Sequence, residues 1–437
     1  MDLDINQIKE EAKKITDKNL VAEIELVNIT YARLGGYNAI VYSNKLQLAE
    51  SLRTQSIKGV WRWWMRAILS GAALEKGINN VDYDRIRKIM GSTKATSPLI
   101  LKLTTIEETK SIFKSDISKF DKLLPPRLRL LVMDKKLSEN EKREILWMHK
   151  AGSLKAHIQI YVRSGSKISN DELNVAIGAF LLALILQGVG AITRRGFGHF
   201  KITYRESSKY PLKDYAECVK QLNEAVDESA IRSALEKLIG EVIESAKCLL
   251  GEPVSNKVTE ALSIPSCPSL SFNQHAFKLE VVKINTGRNI HKLSLGLEKD
   301  DETQLKLLSK LGKATLKIEW KKNKRLSSRD LHTWVLGLPR THLDAYKGKN
   351  TGYFLPTRSS TGQPEIGRRP SSISFAPLKQ VNDEWLVAVY GFLSSDWPEG
   401  IVWLSGRSYE LLSISPKKEV QKRFDEAFNQ VINYLKM

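Results

Sequence analysis

Cysteine is scarce in this sequence, and the placement of the few that occur excludes two classes of protein. The chain has 437 residues but only three cysteines, Cys218, Cys248 and Cys267. They lie far apart, and no two of them form a Cys-x-x-Cys pair. The sequence therefore predicts neither a disulfide framework nor a thiolate zinc site, as is usual for a protein of a reducing, intracellular compartment.

Long apolar runs are also missing. The longest covers residues 175–186 and is followed by Gln187 and Gly188, whereas a membrane-spanning helix needs about 20 apolar residues. The acidic start at Met1 to Asp4 lacks the apolar segment of a secretory signal. We therefore expect a cytoplasmic protein with no membrane partner.

Motifs that hold a metal or cofactor are not found either. There is no His-Glu-x-x-His motif, so a metal-dependent nuclease of that type has no sequence support. We expect no cofactor and no metal site.

Positive charge, by contrast, is abundant. The chain has 68 Lys and Arg against 49 Asp and Glu, a formal net charge of +19. A hydrophobic share of 42% is ordinary for a chain that folds around proper cores. Because clustered cations attract phosphate, polyanions are the leading class of partner.

The order of predicted elements in the first half indicates the fold. Alternating apolar and polar residues predict strands at 21–30, 97–104, 154–162 and 199–204. Helical patterns cover 51–73 and 171–186, the second opened by Asn170 as its cap. The order strand, helix, strand, strand, helix, strand is typical of the ferredoxin-like plan, which RRM-like RNA-binding modules share.

The rest of the chain predicts a second module behind a helical connector. Apolar residues recur at helical spacing over 213–250. The predicted organisation is an N-terminal ferredoxin-like module at residues 1–210, a helical connector at 211–270, and a second, irregular ferredoxin-like module at 271–437. The expected fold class is thus α+β: two ferredoxin-like modules with a helical connector and insertions. The individual predictions comprise an insertion at 106–152 with a helix at 140–150, strands at 277–284, 314–320, 372–375 and 385–390, and helices at 328–336 and 417–435.

The first predicted helix has a basic face. One side carries the apolar residues Ile57, Val60, Trp61, Trp64 and Ile68. Lys58, Arg62 and Arg66 follow one another at intervals of four on a different side, with no Asp or Glu between Glu50 and Glu75. Like charges at this spacing repel, so the row favours a phosphate backbone bound across it. Trp63 lies off the apolar face and is a candidate either for the core or for stacking on a base.

A glycine-rich loop follows the second predicted helix. Four glycines between residues 188 and 198 flank the pair Arg194-Arg195. Freed backbone amides in such a loop can bind phosphate, although the loop matches neither a P-loop nor the dinucleotide fingerprint. The alternative is a helix cap followed by a bulged edge strand.

These two segments together resemble the RAMP proteins of CRISPR systems. The pattern Arg53-x-x-Ser56-Ile57-Lys58-Gly59-x-x-Arg62-x-Trp64-x-Arg66-Ala67 is similar to that of the first RAMP subunit of the type III-B (Cmr) effector complex. Gly337-Leu-Pro-Arg340 and Arg368-Arg369-Pro-Ser-Ser372 resemble segments in the C-terminal half of that family.

The resemblance implies a non-catalytic subunit of a ribonucleoprotein that silences RNA in antiviral defence. Such a subunit contacts the guide RNA near its 3′ side, the target RNA and neighbouring RAMP subunits, while another subunit cuts the target. The residues predicted to bind RNA are Arg53, Lys58, Arg62, Arg66, Arg194, Arg195, Phe197, Arg340, Arg368 and Arg369.

Charge in the second module adds a further candidate surface. Residues 313–369 contain 13 Lys and Arg against four Asp and Glu, a net charge of +9. Tyr346, Tyr353 and Phe354 lie among them. Basic, aromatic-bearing loops suit single-stranded RNA, while a solvated loop kept soluble by its lysines is the alternative.

Two other functions remain open from the sequence. Some RAMP proteins cut guide precursors with a histidine-centred acid–base site, and His199, beside the glycine-rich loop, is the best candidate for one here. Alternatively, the chain is a structural adaptor whose basic patches contact acidic proteins.

Overall fold

A computed structural model describes most of the chain. The described residues are 19–35, 42–43, 45, 48–78, 83–107, 109–111, 124–126, 128–129, 138–251, 265–272, 275–286, 299–316, 333–337, 340–344, 349–358, 364–367, 369–397, 400–405, 408–413 and 418–437.

The first module is built on a four-stranded antiparallel sheet. Its principal elements are β1 (Leu20–Asn28), α1 (Thr54–Glu75), β4 (Leu99–Ile106), β7 (Lys155–Val162), α4 (Asn170–Leu182) and β8 (Phe200–Glu206). The strands lie in the order β4-β7-β1-β8, with β1 paired to both β7 and β8. This is the order of a ferredoxin-like sheet, so the predicted plan of the first module is confirmed.

Smaller elements decorate this module. They are β2 (Tyr42–Ser43), β3 (Leu48–Ala49), α2 (Asp84–Met90), β5 (Thr109–Ser111), α3 (Glu139–Leu146) and β6 (Trp147–His149). The last three lie in the predicted insertion, where β5 pairs with β6. Residues 147–149 were predicted as the end of a helix and are a strand instead.

Helix α4 begins one residue earlier than predicted and ends differently. Ser169, rather than Asn170, is its N-cap: Ser169 Oγ accepts a hydrogen bond from the Glu172 amide, and the Glu172 carboxylate accepts one from the Ser169 amide. The helix continues as a π-helical turn, Ala183–Gln187. Residues 170–187 are apolar and long enough to cross a membrane, but 78% of the segment is buried inside the protein, as in a core helix.

The predicted connector consists of two helices, α5 (Tyr215–Glu224) and α6 (Glu228–Leu250). The buried face of α6 lies in the same apolar cluster as α1 and α4. These helices therefore belong to the packed helical layer of the first module. The domain boundaries at residues 210 and 270 stay predictions.

The second module contains two sheets. Its elements are β9 (Phe277–Asn285), α7 (Lys299–Lys313), a 3₁₀ turn (Thr333–Leu336), β10 (Arg340–Asp344), β11 (Lys349–Arg358), β12 (Pro364–Gly367), β13 (Ile373–Val381), β14 (Glu384–Phe392), β15 (Gly400–Ser405), β16 (Ser408–Ser413) and α8 (Lys418–Lys436). The antiparallel sheet β13-β14-β9 has the order of strands 2, 3 and 1 of a ferredoxin-like module. A second sheet runs β10-β11-β15-β16, with β12 paired to β11.

Two sequence predictions for this module need correction. Residues 314–316, predicted to begin a strand, form the turn after α7, because the amphipathic pattern of that helix runs to Lys313. Residues 317–320, the rest of that strand, lie outside the described residues. Of the predicted helix 328–336, residues 333–336 form the 3₁₀ turn and 328–332 are also outside the described residues.

The two modules share one core. Phe277, Tyr390 and Phe392 of the three-stranded sheet lie in the same buried cluster as Trp61 and Trp64 of α1. Trp63 also contacts Phe392, edge to face, with ring centroids 5.2 Å apart. The opposite face of this sheet packs against α8 through Val387, Val389 and Phe424, among others. Helix α1 is thus held between two sheets, and only a narrow face of it reaches solvent.

Candidate nucleic-acid interface

Helix α1 separates its apolar and basic residues as predicted. Ile57, Trp61, Trp64 and Ile68 are all buried. The indole nitrogen of Trp61 donates to the Ala176 carbonyl at 2.7 Å, and that of Trp64 donates to Gln187 Oε1 at 2.9 Å. Because these bonds satisfy the only polar atom of each ring, both tryptophans are anchors of the core.

The opposite face of α1 carries the cationic row. Arg53 and Arg66 are exposed, while Lys58 and Arg62 are partly exposed. Helix α1 has no acidic residue in its first turn and no side-chain cap. In the described part of the chain, none of these four cations forms an ion pair with a carboxylate. The row therefore presents positive charge that no carboxylate among the described residues neutralises.

Two members of the row also serve the fold. Arg62 Nη2 donates to the Met90 and Gly91 carbonyls, at 3.1 and 3.0 Å, where α2 ends. A cation stabilises the C-terminal end of a helix, so Arg62 stabilises the end of α2 and its contact with α1. Arg53 Nη2 donates to the Gly35 carbonyl at 3.1 Å. Lys58 and Arg66 have no such hydrogen bond among the described residues, which makes them the freest cations of the row.

The arginines of the glycine-rich loop point toward the second module. Arg194 Nη1 donates to the Ser371 carbonyl at 2.8 Å. Arg195 is 6% exposed, donates to the Ile373 carbonyl at 3.3 Å and lies over the Phe375 ring, 5.7 Å from its centroid. The backbone of the loop also pairs with β13, since the Phe375 amide donates to the Arg194 carbonyl. The loop is therefore a contact between modules.

Phe197, predicted to contact RNA, is fully buried. It is 0% exposed and packs in a small apolar cluster with Tyr31, Leu305 and Leu308. Two of these neighbours belong to α7 of the second module. This burial leaves the ring no surface for stacking on a base, and its place is in the core.

The glycines of the loop allow a close approach of backbone to backbone. Gly188 and Gly198 have φ angles of 66° and 65°, and a Cβ on either would lie 2.2 Å from a carbonyl oxygen of the other strand of the loop. The Val189 amide donates to the Gly198 carbonyl, and the Gly198 amide donates to the Tyr31 carbonyl. Because these amides are already bonded to protein carbonyls, the expected phosphate cradle does not fit them. The close approach of backbone to backbone accounts for Gly188 and Gly198 instead.

His199, the candidate acid–base residue, is enclosed. It is 0% exposed, and its Nε2 donates to the Thr193 carbonyl at 3.1 Å. Its Nδ1 is buried and has no hydrogen-bond partner among the described residues. Burial lowers the pKa of His199 to about 4. Backbone contacts with Thr193, Ile185 and Phe375 raise this pKa, but by less than burial lowers it. A neutral, enclosed imidazole of this kind has no path to the 2′-hydroxyl of an RNA.

Two cavities lie where α1 meets the glycine-rich loop. The first, about 250 Å³, adjoins the start of α1 and is called here the amino-terminal cavity. The second, also about 250 Å³, lies between α1, the loop and the second module and is called the junction cavity. Ser56 and Val60 line the first and Trp63 lines the second, so one side of α1 connects them. The amino-terminal cavity is lined by Leu34, Gly35, Ser51, Leu52, Arg53, Ser56, Val60, Val189, Gly190 and Ala191.

Two of the arginines predicted to bind RNA in the second module are described, and they lie in different places. Arg369 forms a two-pronged ion pair with Asp396, at 2.6 and 3.2 Å, and stacks on Trp397, 4.0 Å from the ring centroid. Arg340 begins β10, where its backbone pairs with that of Tyr353. Arg368 lies outside the described residues, as does the basic run 321–325. The structure thus brings Arg194 and Arg369 to one cavity, and leaves Arg340 on a different sheet.

Sequence reasoning missed the polar wall of the junction cavity. Ser374, Ser394 and Asp396 line it together with Trp63 and Arg194. These residues come from segments more than 100 positions apart, and no spacing rule connects them. Only the packing of the three-stranded sheet against α1 brings them together. As for metals, the described residues contain no group of three or more His, Cys, Asp or Glu side chains placed to hold one.

Comparisons with known proteins agree with the resemblance seen in the motifs. Residues 50–201 match the model of the RAMP superfamily. This segment runs from just before α1 to the start of β8 and includes both the cationic row and the glycine-rich loop. No curated protein sequence matches the chain.

Solved structures with a similar fold include chains of the type III-B Cmr-beta. A chain of the type III-B Cmr-beta bound to cognate target RNA is 15% identical, with a TM-score of 0.57, and the match covers 95% of this chain and all of that one. A chain of Cmr-beta bound to target RNA and AMPPnP is 14% identical, with a TM-score of 0.54 and the same coverage. Apo Cmr1 from Pyrococcus furiosus is 16% identical over 94% of this chain and 96% of its own, with a TM-score of 0.47. In the sequence of its first module the chain thus resembles the RAMP superfamily, and in its overall fold it resembles Cmr-beta chains.

Proposed function

We propose that this chain is a non-catalytic, RNA-binding RAMP subunit of a type III-B CRISPR effector complex. In this role it contacts guide RNA near its 3′ side and target RNA, and it packs against other RAMP subunits in the cytoplasm. The match of residues 50–201 to the RAMP superfamily supports the family, and the fold shared with Cmr-beta supports the kind of assembly.

The observation that carries RNA binding is the unneutralised cationic row of α1. Lys58 and Arg66 reach solvent without a carboxylate partner among the described residues. Cations placed on one helix face by a four-residue repeat repel one another by a few tenths of a kcal/mol per pair. A bound phosphate backbone removes this repulsion and releases counterions, which favours association.

The environment of His199 supports a role without catalysis. An acid–base residue for RNA cleavage has to reach the attacking hydroxyl or the leaving oxygen. His199 is enclosed and is held neutral by burial, with a pKa near 4. In this proposal, therefore, His199 supports the fold of the loop and target cleavage belongs to another subunit.

A matched pair of double variants tests the proposal. Lys58→Glu with Arg66→Glu reverses two charges on α1, and Lys102→Glu with Lys155→Glu reverses two exposed charges on the outer face of the first sheet. Affinity for a labelled single-stranded RNA is measured by fluorescence anisotropy, and folding is checked by thermal unfolding. We expect the α1 variant to lose at least about tenfold in affinity, from two lost phosphate contacts, and the sheet variant to change less than about twofold.

Two results would contradict the proposal. If the α1 variant folds and binds RNA as tightly as the wild type, the cationic row is not the RNA site. If the purified chain cuts guide precursor at a specific position and His199→Gln abolishes the cut, the subunit is an endoribonuclease. Incubation of both chains with end-labelled precursor, followed by gel analysis, distinguishes these outcomes.

A further inference from the structure

The junction cavity differs from an ordinary surface cleft in the groups that line it. Its lining residues are Trp63, Gln187, Arg194, Pro268, Arg369, Pro370, Ser371, Ser372, Ser374, Tyr390, Phe392, Ser394 and Asp396. Three aromatic side chains, two guanidinium groups, one carboxylate and several hydroxyls thus converge on about 250 Å³. This volume is just below the roughly 300–1,000 Å³ of pockets that take drug-sized ligands, so it suits a single planar ring system.

The aromatic wall is Trp63. Its ring meets the rings of Trp64 and Phe392 edge to face, with centroids 5.6 and 5.2 Å away. Unlike Trp61 and Trp64, however, Trp63 is only partly buried. The indole surface left uncovered at the cavity is what a nucleobase stacks upon in single-strand binding proteins.

The two guanidinium groups of the cavity are in different electrostatic states. Arg369 is neutralised by Asp396 and stacked on Trp397. Arg194 donates to the Ser371 carbonyl, and no carboxylate in the described part of the chain forms an ion pair with it. Burial lowers the pKa of Arg194, and the nearby Tyr390 offsets this lowering only in part. A partly buried guanidinium without a counter-charge favours an anion beside it.

The inner wall offers both donors and acceptors. Ser394 Oγ donates to Asp396 Oδ1 at 2.6 Å, and Ser374 lies beside the buried Tyr390 hydroxyl. A carboxylate and hydroxyls at the end of an aromatic-walled pocket can accept the amino protons of a base and donate to its ring nitrogens or carbonyls. The cavity therefore combines a stacking surface with polar atoms for the edge of the base.

The cavity also lies along a side of α1 that starts beside Arg53. The side of α1 formed by Ser56, Val60 and Trp63 joins the amino-terminal cavity to the junction cavity. From residue 53 to residue 63 the helix rises about 15 Å. A strand that leaves the start of α1 and follows this side of the helix arrives at the junction cavity.

We propose that the junction cavity binds one unstacked nucleotide of single-stranded RNA, with its base against Trp63 and its phosphate beside Arg194. This inference rests on the proposed RNA-binding function and specifies where one nucleotide of the bound strand is held. The two modules then act together, because Trp63 and Arg194 come from the first and the polar wall from the second.

Photo-crosslinking of the full chain tests the proposal. Single-stranded RNAs that carry 5-iodouridine, a base analogue that crosslinks to aromatic side chains, are irradiated with the purified chain and the modified peptides are identified. We expect Trp63 to be a main site of crosslinking. Trp63→Leu should remove that crosslink and weaken RNA binding about tenfold. The matched control, Trp403→Leu, replaces a partly buried tryptophan of the second sheet and should leave both unchanged.

A second variant keeps the test independent of how well the Trp63 variant folds. Arg194→Gln retains a donor for the Ser371 carbonyl but removes the charge. It should reduce the slope of log affinity against log salt by about 0.7, the value for one phosphate contact of a single strand, while Arg194→Lys should preserve the slope.

The outcomes separate this proposal from the one on which it rests. If the wild type binds RNA but neither crosslinks at Trp63 nor loses salt dependence in Arg194→Gln, the cavity does not hold a nucleotide, and RNA binding by α1 stands. If the wild type does not bind RNA at all, both proposals fail.

Discussion

Two sets of cations in the first module have opposite surroundings. Lys58 and Arg66 on α1 face solvent without a carboxylate partner among the described residues, whereas Arg194 and Arg195 of the glycine-rich loop turn toward β13 of the second module. The sequence does not distinguish the two sets, because both consist of basic residues with glycine or aromatic neighbours. The comparison shows that a high density of basic residues in the sequence indicates a candidate site. It does not show whether those side chains face solvent or contact the rest of the protein.

The cause of the difference lies in backbone geometry. A helix fixes the direction of every side chain, so a four-residue repeat opposite an apolar face has to reach the surface. A glycine-rich loop has no such constraint, and here its amides and its arginines bond to carbonyls of the protein. We therefore assign RNA binding mainly to α1, and we assign the contact between the two modules mainly to the loop.

The largest effect is expected on the free energy of unfolding, from a substitution of Phe197. Phe197→Ala removes a ring that is 0% exposed and lies between the two modules, so it should lower the free energy of unfolding by about 3–5 kcal/mol. Urea unfolding followed by tryptophan fluorescence measures it. Arg66→Ala, on the exposed face, should change stability by less than about 0.5 kcal/mol. A Phe197→Ala chain of unchanged stability but impaired RNA binding would reverse the assignment of the loop.

The next effect concerns acid stability at His199. Its folded-state pKa is about 4, below the value near 6.5 of an unfolded histidine. Between these two pH values the unfolded chain binds a proton that the folded chain does not. The contribution of His199 is therefore fully present above pH 6.5 and is lost as the pH falls to 4, a loss of about 3 kcal/mol.

A comparison of variants isolates this contribution. His199→Gln should make the free energy of unfolding less dependent on pH between 7 and 4.5 than it is in the wild type. His275→Asn, at an exposed position with a φ of 52° that asparagine tolerates, serves as the control and should keep the wild-type dependence. Equal pH dependence in all three chains would mean that His199 is not held neutral.

The smallest effect is expected on α1 itself. Arg66→Ala should weaken RNA binding severalfold and reduce the slope of log affinity against log salt by about 0.7, without a change in stability. Titrations at several salt concentrations measure the slope. Arg232→Ala, on α6, removes a cation that is already paired with Glu236 of the same helix and with Glu280 of β9, and it should leave the slope unchanged. A larger effect of Arg232→Ala than of Arg66→Ala would argue against α1.

Much of the first module could be predicted from the sequence because its signals are local. The strands β1, β4, β7 and β8 and the helix α1 were all predicted, with ends that differ from the observed ones by up to three residues. The apolar face of α1 was expected in the core and is buried there. Each of these features depends on neighbours one to four positions away, which a sequence displays directly.

The second module and the junction were less predictable because they depend on distant contacts. Helix α7 and the strands β10, β11, β12, β15 and β16 were not predicted as elements, and Ala314 was assigned to a strand although it follows α7 in a turn. The inward turn of Arg195 depends on β13, nearly 180 residues away. The resemblance to a family supplied the kind of partner, but only packing shows which arginines remain free to meet it.

Lysine footprinting tests the central claim most directly. The purified chain, alone and bound to single-stranded RNA, is treated with an acetylating reagent, and the reactivity of each lysine is read by mass spectrometry. If RNA lies along α1, Lys58 becomes protected, while Lys102, Lys155 and Lys201 on the outer face of the first sheet keep their reactivity. Protection of the three sheet lysines with Lys58 unchanged would contradict the account and place the RNA on the sheet instead.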